Sequence, residues 1–109
     1  MKRPFLAEFE LYVMLAIARL GDGAYGAEIR REIESRTGRS VAVGALYTTL
    51  ARLAEKGYLR QQVREPEPGE RGRPRKLCTL TAGGERALQT TTNALRNMMD
   101  GLEPARGGA

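Results

Sequence analysis

Apolar residues recur at steps of three and four along most of the chain, and the spacing predicts four helices. The first stretch, Pro4 to Leu20, sets Leu6, Phe9, Val13, Ile17 and Leu20 on one stripe, with Tyr12, Leu15 and Ala16 widening it. A helix apolar around so much of its circumference is buried on more than one side, either within its own domain or against a second subunit. The second stretch, Tyr25 to Arg36, has a narrow stripe of Ile29 and Ile33 extended by Tyr25. Glu28, Arg30, Arg31, Glu32 and Glu34 face outward, and Arg30→Glu34 and Glu32→Arg36 are opposite charges four residues apart. Thr37-Gly38 ends this helix. The third stretch runs from Val41 to Leu59, with Leu46, Leu50 and Leu53 as its stripe. The residues between them are small, hydroxylated or basic: Gly44, Ala45, Tyr47, Thr48, Thr49, Ala51 and Arg52. Gly57 supplies a left-handed cap, and Lys56 favours the carbonyl end of the helix dipole. Val41-Ala-Val43 either forms a very short strand or leads directly into the helix.

After Gly57 the period changes. Tyr58–Arg64 and Lys76–Leu80 are short β-favouring segments around Glu65-Pro-Glu-Pro-Gly-Glu-Arg-Gly-Arg-Pro-Arg75, whose prolines and glycines exclude regular structure. Two strands about a long tip make a β-hairpin. Thr81 is placed to cap a final helix, but Gly84 occupies the position where a capping box needs Glu. Gly83 and Gly84 each weaken that first turn by roughly 1 kcal/mol relative to Ala. Beyond them Leu88, Leu95 and Leu102 repeat at seven, with Thr91 and Met98 between. That seam suits either a short intersubunit contact or folding back on the domain. Residues 103–109 are expected to be a disordered tail.

Composition narrows the partners. The 18 Lys+Arg against 13 Asp+Glu leave a net charge of +5, which suits a phosphate backbone or an anionic membrane surface. A hydrophobic content of 41% favours one folded domain over a basic tail. No apolar run is long enough to span a bilayer, and Met1-Lys-Arg-Pro4 is followed by no signal-like block; no membrane is expected among the partners. A single cysteine points to a reducing, cytoplasmic setting. With no histidine and one cysteine, the usual zinc sites and the Ser/His and Cys/His nucleophilic pairs cannot be assembled within one chain. No cofactor and no enzymatic activity are expected. Gly21-Asp-Gly-Ala-Tyr-Gly26 fits the G-x-G-x-x-G pattern of dinucleotide binding. A helix rather than a strand precedes it, and no acidic residue stands near Gly44–Thr48, some 20 positions on. We read it as a turn broken at Asp22-Gly23.

Helix, short linker, helix is the arrangement of a helix-turn-helix whose second member reads DNA. The hairpin tip after it carries four cations in six residues, Arg71, Arg73, Arg75 and Lys76, on a thin Gly/Pro segment able to enter a minor groove or clamp phosphates. In that position it reads as the wing of a winged helix. Leu46, Leu50 and Leu53 then hold the reading helix in place. Gly44, Ala45, Thr48 and Thr49 are placed to meet base edges, while Tyr47 and Arg52 fix the register on the backbone.

Taken together, Tyr25-Gly-Ala-Glu-Ile29, Val43–Leu59, Gly72-Arg-Pro-Arg-Lys76 and Leu80-Thr-Ala-Gly-Gly-Glu-Arg-Ala-Leu88 resemble the PadR family of winged-helix transcriptional regulators. The resemblance runs from about Leu11 to Leu88. It implies an α+β, mostly helical fold: a winged helix-turn-helix over residues 1–80 and a dimerisation helix over 81–102. It also implies a homodimer on double-stranded DNA, with Tyr47 touching the backbone and Arg73, Arg75 and Lys76 on the wing. Family members often have aromatic residues where this chain has Leu77-Cys78. Some short members bind flat aromatic compounds through tryptophan, which this chain lacks, so that site is not carried over and any small-molecule effector is left unknown. The expected function is a sequence-specific repressor of a pseudo-palindromic operator, with half-sites roughly 34–36 Å apart. The alternative is a protein–protein module that grips a partner with the same helix and acidic residues with the Arg loop. Cys78, flanked by Leu77 and Leu80, reads as a buried thiol rather than an oxidant sensor.

Overall fold

The computed structural model describes residues 5–21 and 23–102. Its elements are α1 Glu8–Leu20, α2 Gly26–Thr37, α3 Val43–Glu55, β1 Leu59–Arg64, β2 Arg75–Leu80 and α4 Ala82–Met99. Pro4, Asp22 and the tail 103–109 lie outside the described residues. The architecture is the expected α+β winged helix, with four helices and one antiparallel hairpin among the described residues.

Helix α1 is the centre of the core. It begins at Glu8, later than its apolar spacing suggests, because the Glu10 carboxylate folds back to accept the Ala7 N–H at 2.9 Å and caps the first turn there. Val13, Met14, Ala16 and Ile17 are buried, and α1 packs against α2, α3, α4 and β2. Its wide apolar surface is thus used largely by its own domain. The glycine-rich segment after it is a turn, as expected. It ends in a feature the spacing did not suggest: Ala24 forms an antiparallel bridge with Cys78, through N–H···O bonds of 2.9 and 2.8 Å.

Two side chains of α2 fix the link to α3. Arg30 Nε donates to the Val41 carbonyl at 2.8 Å, and Glu34 Oε2 accepts the Val41 N–H at 2.8 Å. Both backbone groups of a buried residue are thereby satisfied, and the chain passes directly into α3 without the short strand considered for Val41–Val43. Leu46, Leu50 and Leu53 are the buried stripe of α3. Gly57 follows its end in the left-handed region, φ +82°, and turns the chain into β1.

The hairpin pairs from Leu59↔Leu80 to Arg64↔Arg75. At its far end Thr81 caps α4, accepting the Gly84 N–H at 3.0 Å while its hydroxyl donates to the Gly57 carbonyl at 2.6 Å. Gly84 is buried against Tyr58: a Cβ there would overlap the Tyr58 carbonyl oxygen. Ala87 and Thr91 are buried, and the Thr91 hydroxyl accepts the Leu6 N–H at 3.0 Å, so the first half of α4 belongs to the same core. Its second half leaves it. Leu95, Met98 and Met99 are 44, 78 and 57% exposed. The helix stops at Met99, so Leu102 lies beyond the heptad seam expected for it. Among the described residues, no helix is long and apolar enough to cross a membrane, and no group of acidic residues and cysteine converges to hold a metal ion.

Candidate nucleic-acid interface

One face of α3 is left bare. Gly44, Ala45, Tyr47, Thr48 and Arg52 are exposed, whereas Thr49 is buried at 7%. Thr49 is therefore corrected from a base-edge residue to a core one. It stands three residues after Leu46 and four before Leu53, so the helical period places it on the apolar face, and that spacing was available in the sequence. Gly44 has nothing within 4 Å of where a Cβ would stand. No contact among the described residues requires a glycine there.

Tyr47 leans over the start of α2. A Cβ on Gly26 would come within 2.5 Å of its hydroxyl, so the small residue beneath it lets the ring settle. The wing reaches the same place: Tyr25, Gly26, Tyr47, Arg73, Arg75 and Lys76 line one cleft between α2, α3 and the hairpin. The predicted backbone-contacting tyrosine and three of the four predicted wing cations are thus brought together, and Arg71 does not line that cleft. Arg71, Arg73, Arg75 and Lys76 are all exposed.

They are not equivalent. The Arg75 guanidinium lies 3.9 Å from the centre of the Tyr25 ring, engaged within the chain, while Arg71 and Arg73 stand on the loop between the strands. The acidic part of the tip closes on itself in Glu67-Pro68-Gly69-Glu70, where the Glu70 N–H donates to the Glu67 carbonyl at 2.8 Å. Pro68 followed by Gly69 at φ +89° is the signature of a type II turn. Glu67 approaches Arg64 at 4.0 Å rather than the wing cations that follow.

Several positioning residues act through partners distant in sequence. Arg30 and Glu34 have the spacing of a solvated ion pair and instead hold the α2–α3 link. Tyr25 extends the apolar stripe of α2 by its spacing, yet its hydroxyl accepts from Nη1 of the strand residue Arg64 at 3.4 Å. Lys56 does more than favour a dipole, since its Nζ lies 2.7 Å from Oε2 of the buried Glu10 and ties the end of α3 to α1. Burial pushes the Glu10 carboxyl up, but the hydrogen bonds from Lys56 and the Ala7 N–H, with the charges of Lys56 and Arg52, outweigh it and leave the group below its usual range. Cys78 is buried, and burial pushes its thiol up, which disfavours the reactive thiolate.

Residues 14–90 match the model of a family described as the transcriptional regulator PadR-like family. Among solved structures, the chain is similar to a PadR-like transcription factor from Bacteroides fragilis (TM-score 0.71, 27% identity, covering 83% of this chain and 82% of that one). It is also similar to a winged-helix DNA-binding protein from STIV (TM-score 0.72, 16% identity, 91% and 99% covered). PadR of Bacillus subtilis, in complex with operator DNA, is a third (TM-score 0.66, 16% identity, 77% and 46% covered). The last two bear on the fold alone. A comparison with curated proteins gives no match.

Proposed function

The chain belongs to the PadR-like family of transcriptional regulators, and from that premise we propose that it is a DNA-binding repressor, acting as a homodimer on a pseudo-palindromic operator. The observation that carries the reading is the shared cleft, in which Tyr47 of α3 and the wing cations Arg73, Arg75 and Lys76 face one space. A helix in a major groove and an arm beside it need that juxtaposition. Gly44, Ala45 and Thr48 form the closely approaching surface, where small side chains and one hydroxyl can meet base edges and thymine methyls. Tyr47 and Arg52 hold phosphates and set the register. Arg71, Arg73 and Lys76 serve the flanking groove. The exposed Leu95, Met98 and Met99 of α4 supply the contact to a second copy, which places two reading helices on one duplex.

Selection of bound duplexes from random DNA tests this reading. The expected product is an inverted repeat with half-site centres one helical turn apart. If about four phosphates per subunit are neutralised, log affinity falls with log salt at a slope near −7 for the dimer. Enrichment of no sequence over the starting pool, at about 100 mM salt, would sink it.

A further inference from the structure

We propose that Tyr25 sets the angle of the wing, and through it the reach of Arg71 and Arg73. The inference rests on the reading of the wing as a DNA-contacting arm. Arg64 and Arg75 face each other as the last register pair of the hairpin, where the strands part. Like charges directly opposite on a ladder repel unless another group intervenes. Glu67 approaches Arg64 alone, at 4.0 Å, whereas Tyr25 meets both: its ring carries the Arg75 guanidinium 3.9 Å from the centroid, and its hydroxyl accepts from Arg64 Nη1 at 3.4 Å. The negative face of the ring attracts the one cation and the phenol oxygen the other.

Tyr25 is itself held from both sides. Its N–H donates to Glu28 Oε1 at 2.9 Å, and its carbonyl accepts the Glu28 and Ile29 N–H groups at 3.0 Å. The residue before it is bridged to Cys78, and the residue after it lies beneath Tyr47. One side chain therefore joins the base of the wing to the first turn of α2 and, through Gly26, to the reading helix. The hairpin is a sheet of only two strands and has little stiffness of its own. Arg75 acts as the anchor. Arg71 and Arg73, four and two residues before it on the Gly/Pro segment, are the cations with reach.

The test measures wing geometry and DNA contact separately. Spin labels at Arg31→Cys on α2 and Pro68→Cys on the tip, both exposed, report the wing angle, while the buried Cys78 stays unlabelled. The distance distribution is expected to be narrow in the otherwise unaltered protein and in Tyr25→Phe, which keeps the ring face, and broad in Tyr25→Leu. On a selected duplex, Tyr25→Leu should lose minor-groove protection beside the reading-helix site and bind about fivefold more weakly. Major-groove protection should persist, and Tyr25→Phe should restore the rest. Equal widths in all three proteins overturn the proposal. So does joint loss of major- and minor-groove protection in Tyr25→Leu, which would mean the ring only stabilises the fold. If the unaltered protein protects no duplex, the DNA reading fails, and the distance distributions alone decide whether Tyr25 anchors the wing.

Discussion

Three glycines of this chain differ in what a side chain would meet there, and alanine separates them. At Gly84 a Cβ would collide with the Tyr58 carbonyl, a backbone atom that cannot step aside, so Gly84→Ala is expected to cost about 2 kcal/mol or more. At Gly83 the nearest atom to a built Cβ is the Gly57 carbonyl oxygen at 3.6 Å, ordinary contact distance, so helix propensity should dominate. Gly83→Ala should therefore stabilise, by about 0.5–1 kcal/mol. Gly44→Ala has open space and should gain a similar amount. If α3 lies close against a groove, it should weaken DNA binding at the same time. Denaturant unfolding and a binding titration on the three variants check all of this. Glu10 adds a pH dependence. Its folded pKa lies below its usual 4.5, so the stability it contributes is complete above the unfolded value and is lost as pH falls through the lowered folded one. Glu10→Gln should cost about 1–2 kcal/mol at neutral pH, since it removes the charge opposite Lys56. Urea melts should show the two proteins converging in acid, and a gap that stays constant with pH would refute the assignment.

At the scale of elements, the placing of α3 depends on a clamp rather than on the number of ion pairs. Glu32 meets both Arg19 and Arg36, at 3.0 and 2.5 Å, yet these pairs lie in solvent and are expected to contribute little. Glu34 has one weak ion pair, 3.6 Å to Arg30, but accepts the N–H of the buried Val41. Glu34→Ala should therefore cost about 1 kcal/mol, with a matching loss of hydrogen-exchange protection at Val41. Glu32→Ala should change the melting temperature very little. The reverse order would show that the network on the face of α2, and not the clamp, holds the helix pair together. The helices themselves were legible in the sequence because their core faces follow the helical period, and the hairpin was legible because the period changes after Gly57. The clamp was not, because four-residue spacing of Arg30 and Glu34 predicts a surface pair and carries no information about Val41.

At the scale of the whole molecule, α4 divides into a half that completes the core and a half that does not. Thr91 is buried at 6% and Met98 is 78% exposed, two turns apart on one helix. Met98→Asp changes only the exposed half, so its helical content should be unaltered. In the homodimer reading, sedimentation should show a shift toward monomer, and operator affinity should fall by about tenfold or more as the two half-sites cease to be bound together. A variant that stays dimeric would move the interface elsewhere. The net charge of +5 belongs to this scale too, since it favours encounter with DNA at long range but assigns no contact.

Periodicity determined the four helices, and residue type at the Pro/Gly tip and at Thr81 added the hairpin, the cap of α4 and the winged order of these parts. Periodicity did so because burial is local in pattern: an apolar face must repeat with the element that carries it. The turn reading of the glycine motif also needed only its neighbours. Tertiary structure decided what each polar side chain does, since a hydrogen-bond partner far away in sequence leaves no period. It turned Thr49 inward, gave Arg30 and Glu34 to Val41, and paired Lys56 with Glu10. It also set Arg75 apart from Arg71 and Arg73. In the sequence the three arginines are one basic run; in the fold a tyrosine fifty residues earlier lies under one of them.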